Sequence, residues 1–298
     1  MYHLLAILTV LIWGTTFVST KVLLEQGLTP SDIFLLRFSI AYIGMALTCH
    51  KQWLCKNWRD ELLMMVAGIA GGSIYFLTEN TALMYTQAGN VSLIICLAPL
   101  LTAILATTTR KTDEQTGFRL WLGSCMALIG VGFVVNDHSG SNTNPLLGNI
   151  LALSSAGSWS IYQVIVKPLG KKYGIGLLTR KVFGYGLLTI FPFWVYSAPE
   201  GIFADLHHII ERPVVIGNIL YLGFFASLGC YWMWNKIVEH LGSVVSANYI
   251  YFDPIVTCIA SYIILGEQIT PAMTIGGLGI LFGVYLAVGL PKPKRIKH

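Results

Sequence analysis

Asp253 stands in the most demanding chemical setting of this sequence. It lies about ten residues into a long apolar run and is followed by Pro254, which places it about 15 Å along a helix. A central Asp costs about 2.5–3.5 kcal/mol on membrane-insertion scales, so such a residue is a functional candidate. Proline has no backbone N–H, so the Ile250 carbonyl loses its usual helical partner. The pattern predicts a site for a proton or an amino group; the alternative is a neutral Asp hydrogen-bonded inside a helix bundle.

Other ionisable residues within or beside the apolar runs are also candidates. Glu79 and Arg37 could form a pair that serves as a structural latch or as an outer gate, and the structural role is favoured because buried charges chiefly satisfy one another. Lys21 and Lys167 lie near the ends of two other runs. Extension of their ammonium groups to the lipid headgroups is the simpler explanation, and contact with the carboxylate of a bound molecule is the alternative.

Aromatic and amide residues near the same depths predict the lining of an internal pocket. Stacking and cation–π contacts would suit an amphipathic molecule that carries an amino group, whereas packing or interfacial placement is the ordinary role of such aromatics. The residues predicted to bind this molecule are Trp13, Trp159, Glu79, Asn80, Asn235, Tyr249 and Tyr251. Pro99 and Pro254 are predicted to kink the helices that carry them.

The composition excludes a soluble or disordered chain. Of the 298 residues, 55% are hydrophobic and 11% are charged, against about 25% charged in soluble domains. The net charge of +5 comes from basic residues in short gaps between apolar runs, so it does not predict nucleic-acid binding. The sequence also lacks a phosphate-binding loop and metal-ligand spacing of Cys or His. We therefore predict a membrane protein with no cofactor, no metal and no enzymatic centre.

The elements that must position these residues are membrane-spanning helices. A helix needs about 20 largely apolar residues to cross a bilayer. The predicted fold is an all-α integral membrane protein with ten transmembrane helices. The predicted spans, numbered 1 to 10, are 3–24, 32–49, 61–84, 88–109, 118–135, 147–166, 178–197, 215–238, 243–265 and 272–290.

Basic residues in the gaps predict the orientation, because Lys and Arg concentrate in short cytoplasmic loops. If both termini are cytoplasmic, the gaps on the opposite side contain Arg212 alone. The cytoplasmic gaps and tail would then hold Lys51, Lys56, Arg59, Arg110, Lys111, Arg119, Lys171, Lys172, Arg180, Lys181, Lys292, Lys294, Arg295 and Lys297. We predict a multi-pass protein of the cell inner (cytoplasmic) membrane with both termini in the cytoplasm.

An internal repeat relates the two halves of the chain. Spans 3–4 and 8–9 align at an offset of 155, spans 1 and 6 at 146, spans 2 and 7 at 143, and spans 5 and 10 at 153. The matched residues include Gly68 with Gly223, Asn80 with Asn235, Pro99 with Pro254, Thr102 with Thr257, Trp13 with Trp159, Arg37 with Arg180, Gly123 with Gly276 and Gly130 with Gly283. Five spans is an odd number, so the two copies must be inverted. The predicted division is 1–139 and 146–290 for the two five-helix repeats and 291–298 for a basic cytoplasmic tail.

Several motifs resemble the EamA-type repeats of the drug/metabolite transporter superfamily, over essentially the whole chain. They are Trp13-Gly14-Thr15-Thr16-Phe17, Arg37 early in span 2, Ala82–Tyr85 running into Pro99, Leu265-Gly266-Glu267, Gly276-Gly277 and Gly283-Val284-Tyr285. The resemblance implies ten helices and an exporter-like role for amino acids or other small metabolites. It also implies a central cavity lined by spans 1, 3, 4, 6, 8 and 9.

The predicted function is a secondary transporter, an exporter of small amphipathic metabolites such as amino acids. Inverted repeats suit alternating access around a site near the bilayer midplane, driven by a proton gradient or by the solute's own gradient. The alternatives are an intramembrane lipid-modifying enzyme, a non-transporting membrane scaffold and a duplicated structural or receptor bundle. The expected partners are a small-molecule substrate and the lipid bilayer. Gly279 and Gly283 would permit close helix packing or a homodimer seam.

Overall fold

The computed structural model describes residues 1–49, 53–109, 118–135, 144–197, 211–241 and 249–288, and this part of the chain is helical without strands. In chain order the elements are α1 (Tyr2–Glu25), α2 (Pro30–Thr48), α3 (Trp58–Gly68), the π-helical segment π1 (Ile69–Ile74), α4 (Tyr75–Tyr85), α5 (Ala88–Ile95), α6 (Ala98–Thr109), α7 (Phe118–Val135), α8 (Pro145–Tyr173), α9 (Ile175–Ser197), α10 (Pro213–Leu220), the π-helical segment π2 (Tyr221–Gly229), α11 (Cys230–Leu241), α12 (Asp253–Leu265) and α13 (Pro271–Val288).

The helices are apolar and are suited to a bilayer. By length and composition, four described stretches could cross a membrane: Tyr2–Glu25, Pro30–Thr48, Trp58–Tyr85 and Pro213–Trp234. Large apolar side chains such as Leu4, Leu128 and Leu278 are more than 60% exposed, as expected of a lipid-facing surface. Each predicted span contains described helix, so the all-α membrane fold is confirmed, while the number of ten crossings stays a prediction.

Local sequence signals determine where helices begin and end. Thr29 and Asp32 form a capping box at the start of α2, with the Thr29 N–H donating to Asp32 Oδ2 at 2.9 Å and the Asp32 N–H to Thr29 Oγ1 at 3.2 Å. Pro30 occupies the first turn, where its missing N–H costs no helical hydrogen bond. Gly266 ends α12 with φ +67°, a left-handed conformation that favours glycine. The turns before α2 and after α12 are therefore short and are defined by these local signals.

Pro99 and Pro254 each follow a two-residue interruption of the helix. Helix α5 ends at Ile95 and α6 restarts at Ala98, one residue before Pro99. Helix α12 likewise begins one residue before Pro254, at the equivalent position of the second repeat. A kink in a continuous helix was the expectation, and the difference arises because a proline in a first turn starts a helix without losing a hydrogen bond. The Ile250 carbonyl is not free, because the Cys96 thiol donates to it at 3.7 Å.

The two π-helical segments also correspond between repeats. Residues 69–74 of π1 map onto 224–229 of π2 at the offset of 155. In π1 a Cβ on Gly72 would lie 3.2 Å from the Gly186 Cα, so the glycine lets α9 approach this segment closely. Such π-helical turns occur frequently at functional sites.

The contact between α7 and α13 shows how the repeats are related. A Cβ on Gly130 would lie 2.5 Å from the Gly276 carbonyl oxygen, and one on Gly283 would lie 2.6 Å from the Gly123 carbonyl oxygen. Residue numbers rise along one helix as they fall along the other, so these repeat-equivalent helices run antiparallel. The repeats are therefore inverted. The same contact buries the glycine face of α13 against α7, which favours helix packing, the first of the two roles considered for Gly279 and Gly283; a homodimer stays a prediction.

The buried core has two large clusters. One is mainly aliphatic and joins α5, α7 and α13, with Ile94, Val134 and Ile280 fully buried. The other is rich in aromatic rings and joins α2, α8 and α9, with Phe38 and Phe183 at its centre. Both clusters include residues that line a cavity inside the bundle, such as Phe17 in the first and Phe76 in the second.

Candidate functional site

A cavity lies among helices of both repeats. It is lined by Trp13, Thr16, Phe17, Arg37, Tyr75, Phe76, Glu79, Ser92, Ile95, Cys96, Ala98, Pro99, Trp159, Tyr231, Ile250 and Asp253. These residues come from the six spans that the family resemblance implies and from span 2. The volume is about 70 Å³, room for a few water molecules at about 10–15 Å³ each. The cavity must widen to hold a metabolite.

Two carboxyl groups face this cavity, and each has one buried oxygen with hydrogen-bonding capacity to spare. The Asp253 Oδ1 and Glu79 Oε2 atoms are buried and have no hydrogen-bond partner among the described residues. The two groups are close enough to interact electrostatically. A buried oxygen without a donor is costly, so this arrangement suits an incoming proton or ammonium group. The alternative role of Asp253 was a carboxyl that is fully hydrogen-bonded inside the bundle, and its unpaired Oδ1 does not fit that role.

Arg37 faces the cavity without contacting either carboxylate. It is 3% exposed, and its Nε donates to Ser227 Oγ at 2.6 Å. Its guanidinium carbon lies 4.7 Å from the centre of the Phe76 ring. Among the described residues the ion pairs lie elsewhere, so the expected Arg37–Glu79 pair is corrected to a longer-range electrostatic interaction. The reason is that Ser227, on π2 of the other repeat, holds the arginine.

Aromatic rings from both repeats surround the cavity. Trp13 lies 5.8 Å from Tyr231, and Trp159 lies 6.4 Å from Tyr231 and 4.9 Å from Tyr75, measured between ring centres. Trp13 and Trp159 are repeat equivalents, and so are Phe76 and Tyr231 at the offset of 155. The sequence prediction missed Tyr75, Phe76 and Tyr231, although the constant offset would have identified the last two.

Comparison with known proteins decides the family. The sequence profile of the EamA-like transporter family matches residues 1–136 and 146–289. The chain belongs to the EamA-like transporter family. Relatives with curated descriptions span almost the whole length of this transporter. An uncharacterized transporter of Archaeoglobus fulgidus is 27% identical over 288 residues, which are 95% of this chain and 96% of the relative.

Two further relatives have more specific descriptions. A "probable terminal-alkyne amino-acid exporter" of Streptantibioticus cattleyicolor is 25% identical and covers 94% of this chain and 91% of its own. A "probable amino-acid metabolite efflux pump" of Escherichia coli is 24% identical, covering 98% and 97%. A solved crystal structure shares the fold with a TM-score of 0.60 at 20% identity, covering 96% of both chains. This EamA-like protein is therefore a multi-span membrane transporter and not an enzyme.

Some residues predicted to line the site of this transporter lie elsewhere. The Asn80 amide donates to the Pro30 carbonyl at 3.2 Å, and the Tyr249 hydroxyl is hydrogen-bonded to His3 Nδ1 at 2.5 Å. Tyr251 packs against the aliphatic cluster, and its hydroxyl is buried without a partner among the described residues. Successive helical residues point about 100° apart, so Asn80 cannot share the orientation of Glu79. The side chain of Asn235 lies outside the described residues.

One end of the bundle is joined by a contact between the repeats. Lys21 Nζ donates to Glu267 Oε1 at 2.5 Å and to the Thr86 carbonyl at 3.0 Å. The Ala88 N–H, at the start of α5, donates to both Glu267 oxygens at 3.0–3.1 Å. An ion pair therefore replaces the headgroup contact expected for Lys21. Glu267 of the Leu265-Gly266-Glu267 motif thus has a structural role. The side chain of Lys167, for which the same headgroup contact was expected, lies outside the described residues.

The gaps after spans 2 and 6 meet through a second set of ion pairs. Lys172 contacts Asp60 at 2.5 Å, and Lys181 pairs with Glu61. The Cys55 N–H donates to Glu61 Oε2 at 2.8 Å. Burial and a hydrogen bond to Glu61 raise the pKa of the Cys55 thiol to about 11. These contacts join two segments that the basic residues predict to be cytoplasmic.

Proposed function

We propose that this transporter is a secondary exporter of small amphipathic metabolites that carry an amino group, such as amino acids. The observation that carries the proposal is that Asp253 and Glu79 face one cavity, each with a buried oxygen that has no hydrogen-bond donor among the described residues. Relatives described as amino-acid exporters support the substrate class.

The chemistry of the cavity fits an ammonium group. An ammonium has three N–H donors, enough to contact both Asp253 and Glu79. Trp13 and Trp159 add aromatic faces that attract a desolvated cation by about 2 kcal/mol. A proton on Asp253 would satisfy the same oxygen when the substrate has left, which would link substrate movement to a proton gradient. Asp253 is thus the proposed proton or amino-group site.

Alternating access is the proposed mechanism, with the copies rocking around the cavity. The inverted repeats support it, since such repeats expose one site to two sides in turn. The Lys21–Glu267 contact ties the repeats at the end predicted to face outward, and the Lys172–Asp60 contact ties them at the other. We propose that opening toward either side breaks the contact at that end. The proposed location is the inner membrane, with both termini cytoplasmic.

Substitution of Asp253 tests the proposal. Asp253→Asn should abolish pH-dependent counterflow of labelled amino acids in proteoliposomes, because the amide can neither release a proton nor neutralise an ammonium. The matched control is Glu25→Gln, which removes a carboxyl from an exposed position at the end of α1. Unchanged flux and an unchanged pH profile in Asp253→Asn would exclude this residue from the mechanism. No exchange of any amino acid by the wild-type protein would overturn the proposed substrate class.

A further inference from the structure

Arg37 is a buried cation, and no carboxylate of the described residues forms an ion pair with it. It is 3% exposed, and among the described residues its one hydrogen bond is from Nε to Ser227. Glu79 is close enough to interact with it electrostatically but does not form an ion pair. Removing a charge from water is strongly unfavourable unless a partner offsets it. The arginine is therefore placed where an additional anion would be stabilised.

The guanidinium group is held in one orientation. Its carbon lies 4.7 Å from the Phe76 ring centre and 5.6 Å from that of Phe38, and the Nε–H is fixed on Ser227 at 2.6 Å. The two terminal nitrogens have no acceptor among the described residues, and Arg37 lines the cavity. A planar pair of N–H donors matches the two oxygens of a carboxylate.

The repeat equivalent of Arg37 does not duplicate this arrangement. Arg180 donates to the Cys49 carbonyl oxygen, and its guanidinium carbon lies 4.4 Å from the Trp53 ring centre. Arg180 is also absent from the lining of the cavity. The anion-binding feature is therefore one-sided, as Asp253 is, whose repeat equivalent is Ala98. The cavity thus places one cation and two carboxyl groups together, a polarity that a zwitterion would complement.

We infer that Arg37 binds the carboxylate of the substrate while Asp253 and Glu79 receive its amino group, which makes the substrate class α-amino acids rather than amines. This inference rests on the proposed function and adds a carboxylate requirement to it. Arg37, Glu79 and Asp253 line the same small cavity, so a molecule with adjacent opposite charges can reach all three side chains. The competing explanation is a structural arginine that only fastens α2 to π2 through Ser227.

Matched compounds distinguish these explanations. Counterflow in proteoliposomes would be measured with phenylalanine, phenylalaninamide, 2-phenylethylamine and 3-phenylpropanoate, and with the corresponding leucine series. The wild-type protein should prefer the amino acid over its amide by about tenfold or more, the size of a lost charge-assisted pair. Arg37→Gln should remove this preference, and Arg37→Lys should retain part of it. The control, Lys236→Gln, removes an exposed cation that lies over Trp232 and should leave the preference unchanged.

The possible outcomes separate the inference from the function on which it rests. Equal transport of amino acid and amide by the wild-type protein overturns the role of Arg37 even if the Arg37 variants do not fold. Equal loss of both compounds in a folded Arg37→Gln protein assigns the residue a structural role. If only the amines are transported and Asp253→Asn abolishes their transport, the result supports recognition of the amino group by Asp253 and overturns the carboxylate site at Arg37. If no compound in either series moves, the proposed function itself is overturned.

Discussion

Asp253 and Glu79 are chemically similar residues in different surroundings. Glu79 interacts electrostatically with Arg37 and lies one helical turn after Tyr75 on α4. Asp253 stands at the start of α12, where the charged neighbour acting on it is Glu79. Glu79 therefore has a nearby positive charge, Arg37, whereas no positive group among the described residues acts on Asp253. This asymmetry is why we assign the exchangeable proton or amino group to Asp253.

The aromatic lining offers a prediction at the same scale. Trp159→Leu should raise the half-saturation concentration for amino-acid counterflow by about two- to thirtyfold, because a cation–π contact contributes about 0.5–2 kcal/mol. The control is Trp121→Leu, since Trp121 is 70% exposed and is not among the residues that line the cavity. An equal change in both variants would show that loss of bulk, rather than contact with substrate, causes the effect.

Among the elements, two features affect the rigidity of the bundle in opposite ways. One is the glycine contact between α7 and α13, and the other is the pair of helix breaks before α6 and α12. Carbonyl oxygens of each helix lie where a side chain of the other would otherwise stand, which fixes these two helices tightly. Around the cavity, by contrast, breaks at Pro99 and Pro254 interrupt the helical hydrogen bonding. We infer that the α7–α13 pair is the firm part of the bundle and that conformational change occurs near the breaks.

Overpacking of the α7–α13 contact tests whether these two helices are the rigid part of the bundle. Gly130→Ala should destabilise the protein by about 1–3 kcal/mol, because the new Cβ would lie 2.5 Å from the Gly276 carbonyl oxygen and the backbone must shift. The measurement is thermal unfolding in detergent. Gly217→Ala is the control, since a Cβ there meets no described atom within 4 Å and alanine favours helix by about 1 kcal/mol. A melting temperature equal to that of the wild type in Gly130→Ala would contradict the close contact.

For the whole molecule, contacts at the two ends of the bundle agree with the predicted sidedness. Lys21, Thr86, Ala88 and Glu267 belong to segments predicted to face outward, and the four meet in one contact network. The segments around Asp60 and Lys172 are predicted to be cytoplasmic, and they also meet. A transporter that alternates between two openings needs such separable contacts at each end.

A double-mutant cycle on Lys21 and Glu267 tests the outer contact. Lys21→Met and Glu267→Gln should each lower the melting temperature, and their effects should be non-additive by about 0.5–3 kcal/mol because the residues are in direct contact. The matched control combines Lys21→Met with Lys236→Gln, an exposed residue of α11 that lies over Trp232; this pair should be additive because the two residues share no contact. Additive effects for Lys21 and Glu267 would show that the ion pair does not join the repeats in the membrane.

The sequence by itself determined the membrane class, the all-helical fold, the inverted repeat and the presence of Asp253 in an apolar run. These features follow from composition and periodicity, because a bilayer excludes polar surface and requires every backbone group to be paired locally. Tertiary structure alone decided which polar residues share the cavity. Glu79 faces it and Asn80 does not, Arg37 contacts Ser227 instead of Glu79, and Lys21 meets Glu267 across 246 positions of sequence. Such choices depend on helix rotation of about 100° per residue and on breaks whose direction no local pattern specifies.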